Sequence, residues 1–407
     1  MLYDIIKSLR KILLLTLIYV FFASFAFSEE IEKDNIFLID DAPFDVHKSK
    51  IEEIQKSKTE YDSYGFRLKE SITSTLPSDE ECINHKRPVY LLDTATTRYF
   101  EKGPLDSFHT GFFYKGSLPI SMIQGGVTHT DYTQNNIENH FRGYLKNGKT
   151  SFNISTRYTP RKDLDFFQFL IGDLFVSHQL TQHNRIVFGN SRTHTGEEGS
   201  KPDWQVPLIS YSQISRNFGN IRKFGARVVG EYDLIEYDFG GYSSDSYFRE
   251  FFPGVEFTGW VNFKPLGKTN GKYGDLKLGG GISSGHNNFT YNVAGAYARY
   301  QYKKFRADFE FANADGYNGN LGLSKKHARG LYSTVYYRIT PKVELLARYD
   351  FFQPDLDVSK KDIKEYVVGL NYYLKGQGLR FMLNYIFRQS EFGNDSHRII
   401  LGTQIML

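Results

Sequence analysis

The chain has 407 residues, with 50 Lys and Arg against 46 Asp and Glu, for a formal net charge of +4. That near-balance argues against a nucleic-acid partner held by a basic surface, and a single cysteine, Cys82, excludes a disulfide framework. Aromatic residues make up 16 % of the chain while the mean hydropathy is only −0.44, so the apolar side chains are spaced by polar ones instead of being gathered into long runs.

The first segment reads as an export signal. Lys7, Arg10 and Lys11 precede an apolar run from Ile12 to Phe22, and Ala26 and Ser28 stand at the −3 and −1 places of a cleavage after Ser28. Residues 1–28 are therefore expected to be a signal peptide, and no later stretch carries the eighteen apolar residues a membrane helix needs. Residues 29–108 carry charged runs, such as Glu29, Glu30, Glu32, Lys33 and Asp34, and one short helical pattern around residues 46–61. They are expected to form a periplasmic extension, partly helical or disordered.

Residues 109–407 read as strands. Leu379, Phe381, Leu383, Tyr385 and Phe387 fall on one face, Arg380, Met382, Asn384, Ile386 and Arg388 on the other. The next stretch repeats the pattern, with Ile399, Leu401, Thr403 and Ile405 opposite Arg398, Ile400, Gly402 and Gln404. A period of two with one apolar and one arginine-bearing face fits a strand between hydrocarbon and water. The fold class is therefore all-β, a transmembrane antiparallel barrel.

Turn signals order the strands. Short connections fall at Asn147-Gly148, His178 to His183, Glu231 to Asp233, Lys303, Thr340-Pro341 and Lys375 to Gly378. Longer polar connections alternate with them, at 131–137, 160–164, 191–220, 241–253, 314–327, 353–364 and 389–396, with 265–273 a long member of the first kind and 283–288 a short member of the second. The count is about sixteen strands, an even number that places both termini in the periplasm if the short turns face it.

Alternation assigns the charges. Arg157, Arg185, Arg227, Arg299, Arg306, Arg338, Arg348 and Arg380 are the pore-lining basic candidates; Arg142, Lys146, Lys264, Lys277, Lys304, Arg388 and Arg398 share their face. The acids expected there are fewer: Glu231, Glu256, Asp275, Asp308, Glu310, Glu344, Asp350 and Glu365. Such an excess should enrich anions in a narrow channel. The connection 191–220 is the longest and supplies the constriction-loop candidates Arg192, His194, Lys201 and Arg216, opposed by Glu197, Glu198 and Asp203. The eleven histidines stand beside no nucleophile motif and show no metal-ligand spacing, so neither catalysis, a cofactor nor a metal is expected.

The segments AYARYQYKKFRADFEFANADGYNG, ARGLYSTVYYRITPKVELLARYD and EYVVGLNYYLKGQGLRFMLNYIFR, between Ala296 and Arg388, resemble the phosphate-selective porin O and P family in order and spacing. Similarity is densest over residues 290–407 and weaker from about 137 to 264. The resemblance implies a sixteen-stranded, homotrimeric porin of the bacterial outer membrane, passing small anionic or polar solutes, possessing no catalytic site and surrounded by outer-membrane lipid. Phosphate preference would follow from the same likeness. The alternative is a plugged structural or adhesive barrel that acts through its loops or its N-terminal extension.

Overall fold

The computed structural model describes residues 97–123, 129–130, 136–160, 167–245, 252–269, 271–358, 362–375, 378–391 and 395–406. The signal-peptide segment, Cys82 and most of the 29–108 extension lie outside the described residues. In chain order the strands are β1 (Thr97–Tyr99), β2 (Leu105–Ile123), β3 (His129–Thr130), β4 (Asn136–Leu145), β5 (Thr150–Pro160), β6 (Phe167–Gln179), β7 (Asn184–Arg192), β8 (Arg222–Glu231) and β9 (Ile235–Ser243). They continue as β10 (Val255–Phe263), β11 (Asp275–Asn287), β12 (Phe289–Tyr302), β13 (Phe305–Gly319), β14 (Gly322–Thr340), β15 (Val343–Gln353), β16 (Ile363–Lys375), β17 (Leu379–Ser390) and β18 (Ser396–Met406).

Each long strand pairs antiparallel with the next, and β18 returns to β2 with Ile400 opposite Pro119 and Gln404 opposite Lys115. The short β1 and β3 add to β2, so the closed ring consists of sixteen strands, β2 and β4 to β18. Closure leaves no unpaired edge, the condition for a sheet to stand in hydrocarbon. Pairing begins earlier than the expected boundary at residue 109, because β1 and the first residues of β2 already lie against each other, Thr97 opposite His109.

Among the described residues two connections differ from the turn signals. The short 283–288 connection is strand as far as Asn287, paired with Phe289, and turns at Asn288 alone. The 314–327 segment is strand almost throughout: β13 and β14 run on to Gly319 opposite Gly322 and turn at 320–321. The register slips between Asp315 and Tyr317, where Gly316 takes a φ of 67°. That bulge breaks the period of two, and its Gly, Asn and Asp neighbours mimic a loop composition.

Side chains alternate between the two faces of the wall. Phe257, Val368 and Phe188 are 65 %, 59 % and 57 % exposed on the outer face, whereas Arg380 and Glu310 on the inner face are 0 % and 1 % exposed. In β17 the division is the one read from sequence, with Arg380, Met382, Asn384 and Ile386 buried and Tyr385 outside. Rings collect at the margins of the apolar band: Tyr349, Tyr366, Phe387 and His397 stand side by side across β15 to β18, with centroids 5.3, 6.1 and 4.8 Å apart. Aromatic rows of this kind mark a membrane–water interface.

An arginine placed on the outer face should cost about 2–4 kcal/mol near the midplane. Phe257→Arg and Leu383→Arg are therefore expected to lower the yield of heat-modifiable folded barrel on gels. Asn384→Ala should leave that yield intact.

Candidate functional site

The inner face of the ring is not empty. The connection from β7 to β8 turns inward and carries a 3-10 turn at Asp203–Gln205 and one short helix, α1 (Gln213–Phe218), before it rejoins the wall. Ser212 caps α1 by accepting the Ser215 amide hydrogen, as a serine at that position is suited to do. Ile214 and Phe218, one helical turn apart, then face the same way.

Apolar residues carry this loop across the lumen. Ile214 and Phe218 pack with Val293, Ala312, Ala314, Tyr332 and Phe352, and Leu208 and Ile209 pack with Leu346, Val367, Met382, Ile386 and Ile400. Trp204 meets Phe113 and Met406. The inner face of β12 to β18 thus bears an apolar strip that a water-lined wall would not need. Met382, Ile386 and Ile400 were already visible on the arginine-bearing face of the sequence, and they were the signal that something apolar docks there.

Polar contacts fix the loop at the same wall. The Asn384 side chain accepts the Ile209 amide hydrogen at 2.9 Å, Asn371 donates to the Pro207 carbonyl at 2.9 Å, and Arg380 donates to the Val206 carbonyl at 3.0 Å. Lys115 reaches the carbonyls of Leu208 and Asp203 at 3.3 and 3.4 Å. The Gln213 amide donates to Asp350 at 2.8 Å. Glu198 is paired with Arg348, whose guanidinium lies 4.8 Å from the Tyr332 ring centre, and it also accepts from the Ser212 amide at 2.6 Å. Burial by itself would raise the Glu198 carboxyl, but Arg348 and the Ser212 donors outweigh it and hold the group below its ordinary value.

The expected pore arginines lie inside the barrel, and most face an acid. Arg157 bridges Glu138 at 2.9 Å and Asp203 at 3.1 Å, Arg227 meets Asp238 at 2.8 Å, Arg185 lies 3.7 Å from Glu231, and Arg338 is 3.0 Å from Glu344. Arg299 is 3.4 Å from Glu197, and Arg306 donates to Asp308 at 2.9 Å. Arg380 instead contacts the Val206 carbonyl and Gln404.

The four loop candidates are spread along the lumen. Arg192 is the last residue of β7 and bonds the Asn220 side chain. His194 stacks on Trp260 at 5.6 Å and lies 3.5 Å from Asp238, Lys201 pairs with Glu197 at 2.6 Å, and Arg216 pairs with Glu365 at 2.8 Å.

Sequence alternation missed four inner-face acids, Glu138, Asp173, Glu236 and Asp238. It also missed three inner-face bases, Lys115, Arg222 and Lys223, so with the loop's own acids and bases added the basic excess persists while most of its members are paired. Strands β4 and β9 carry outward polar or tyrosine residues such as Asn139 and Tyr237, which blur the contrast between faces, and in β6 a register slip opposite Ile154 and Thr156 shifts the phase of the alternation at Asp173.

A cavity of about 20 Å³ remains between the loop and the wall formed by β2, β4, β5, β6 and β8. Pro202, Asp203 and Trp204 border it on the loop side; Glu138, Arg142, Arg157, Asp173 and Arg222 supply the charges of the wall. Arg222 is bound to Asp173 at 2.6 Å and lies 3.6 Å from Glu138, so the gap is edged by a continuous chain of ion pairs. Burial opposes ionisation of Asp203, yet Arg157, Arg192 and Lys115 bring its carboxyl down to about 2. It is a fixed negative charge at neutral pH.

Breaking one partner of a buried pair strands the other, at a cost of about 3–5 kcal/mol. Arg348→Met should accordingly lower the urea midpoint of the purified barrel. Arg348→Met combined with Glu198→Gln should recover most of the loss.

Residues 261–399 match the family model described as phosphate-selective porin O and P, overlapping the segments that carry the resemblance in sequence. No curated relative matches the chain. Among solved structures, the outer membrane channel DcaP of Acinetobacter baumannii superposes with a TM-score of 0.54 at 10 % identity, covering 76 % of this chain and 99 % of that one. OprB of Pseudomonas putida gives 0.55 at 9 % identity over 74 % of this chain and 94 % of that one. Salmonella typhi OmpF, in complex with daunomycin, gives 0.54 at 12 % over 74 % and 98 %. At these identities the likeness is one of fold. The chain folds as a closed sixteen-stranded antiparallel β-barrel like those of these outer-membrane proteins, and its residues 261–399 match the model of phosphate-selective porin O and P.

Proposed function

We propose that this barrel is an outer-membrane porin that lets small solutes diffuse passively through the gap beside its inward loop, with a preference for anions. The observation that carries the reading is the lumen's division into two unequal sides. Against β12 to β18 the loop is sealed by apolar packing; against β2 to β8 it leaves a small cavity edged by charge, which supports placing the solute path on that side.

The preference rests on the balance around that cavity. Lys115, Arg142, Arg157, Arg192 and Arg222 stand at or beside it, against Glu138, Asp173 and Asp203. Fixed charge in a narrow path through a low-dielectric wall favours the counter-ion, and arginine keeps its charge at every working pH. The modest size of the excess supports a bias among small ions better than a dedicated phosphate filter. In this reading the short turns and both termini face the periplasm, and three copies assemble as the family resemblance implies.

A second reading, a plugged barrel that works through its outer parts, draws support from the deep burial of Arg348, Arg380 and Arg227. Conductance decides between them. In a planar bilayer the porin gives steady ohmic steps, and the plugged barrel gives none.

Selectivity should follow the gap. Under a salt gradient, Asp203→Asn is expected to raise the anion-to-cation permeability ratio, and Arg142→Gln with Arg222→Gln to lower it, both read as reversal-potential shifts. The shifts should fade with salt, because the screening length falls from about 10 Å at 0.1 M to about 3 Å at 1 M. A wild-type channel selective for cations at low salt would overturn the anion preference.

A further inference from the structure

The short-turn rim of the barrel carries its densest run of exposed lysines on one arc. The turns joining β10 to β11, β12 to β13 and β14 to β15 are alternate hairpins of one continuous stretch of wall, so they stand side by side at the same end. They carry Lys268, Lys272, Lys303, Lys304 and Lys342, all exposed. No acid occurs in 264–274, 303–304 or 341–342, and Asp275, at the start of β11, is the nearest along the chain. On the same rim the 146–149 turn adds Lys146, which reaches the Glu101 carbonyl, and Lys149, while the turns 180–183 and 232–234 carry no lysine, so the lysines are densest on the arc from β10 to β15.

Rings lie directly beneath these lysines. Lys272 sits 5.2 Å from the Tyr273 ring centre and Lys303 5.1 Å from that of Tyr302. Tyr273 and Tyr337 are more than half exposed, on the lipid side of the rim. Tyrosine at the boundary of an apolar band settles at headgroup depth, and a lysine just beyond it extends its ammonium into the phosphate layer. These lysines take no part in the lumen network. Lys304, expected on the inner face, reaches the Ile339 carbonyl at 3.3 Å, and none of the five forms an ion pair with an acid among the described residues.

We propose that this arc binds anionic phospholipid headgroups of the leaflet it faces. The chemistry fits a phosphodiester lipid: an ammonium cluster that outnumbers its nearest acids, Asp233 and Asp275, meets the phosphate, the tyrosines meet the glycerol and upper acyl region, and the exposed outer face of Phe263, Phe305 and Ile339 meets the chains. The arc gives the barrel a fixed contact with one class of lipid, on β10 to β15, away from the gap.

The test uses the full chain reconstituted in phosphatidylcholine bilayers doped with spin-labelled phosphatidylglycerol or spin-labelled phosphatidylcholine, reading the motionally restricted lipid fraction. Wild type should favour phosphatidylglycerol about three- to tenfold at low salt and lose the preference toward 1 M salt. The variant with Lys268, Lys272, Lys303, Lys304 and Lys342 all changed to Gln should fall to near-equal association. Lys325→Gln with Lys326→Gln and Arg329→Gln, at the opposite rim, should keep the wild-type value.

Equal association in wild type, or an unchanged preference in the five-lysine variant, would overturn the proposal. Should that variant fail to fold, Lys303→Gln with Lys304→Gln and the salt series on wild type give the same decision. If isolated peptidoglycan binds wild type and not the rim variant while lipid preference is unaltered, the arc serves an anionic polymer and the lipid assignment fails. Conductance is independent of all this, so a silent channel would count against the porin reading and leave the lipid contact standing.

Discussion

The constraint on which the rest of this structure depends is that no backbone amide in the hydrocarbon layer can go unpaired. Water is not there to serve it. A sheet meets that demand only by closing, which β18 does on β2. Once the ring is closed, the period of two leaves each side chain a choice of lipid or lumen and nothing between. Phe257 and Val368 take the first; Arg348 and Glu310 take the second.

A polar lumen then raises its own difficulty. Charges crowded inside a low-dielectric wall must find partners or water. This barrel supplies partners from two sources, the wall and the inward loop, and the loop brings three acids that join Arg157, Arg299 and Arg348. The same loop needs a place to rest, and the apolar strip of β12 to β18 provides it. Neither feature makes sense alone: without the strip the loop would have no reason to cross the lumen, and without the loop the strip would be apolar surface facing water. The cavity beside β2 to β8 is what the pair leaves over.

Much of this was legible before any coordinates. The strand count, the alternating short and long connections and the inner placement of Arg157, Arg185, Arg227 and Arg380 all follow from periodicity and turn chemistry. What periodicity could not supply was distance across the lumen. Arg348 and Glu198 are 150 residues apart, and nothing local to either announces the pair. The acids at Glu138 and Asp238 escaped for a different reason, because their strands present Asn139 and Tyr237 outward and so lack a sharp apolar face. The hairpin at residues 314–327 misled because a bulge with glycine at positive φ has the composition of a loop while remaining sheet.

The manner in which the loop is tied down has an evolutionary consequence. Val206, Pro207 and Leu208 are gripped through their carbonyls, Ile209 and Gln213 through their amides. Peptide groups survive substitution, so the tether is largely indifferent to which side chains those positions bear, provided the apolar character of Leu208 and Ile209 persists. The acidic residues that border the cavity, by contrast, act through their side chains. In the proposed porin, exchange of Asp203, which borders the cavity, can retune what the barrel admits while the peptide tether stays put. Related barrels could in this way diverge in diet faster than in form.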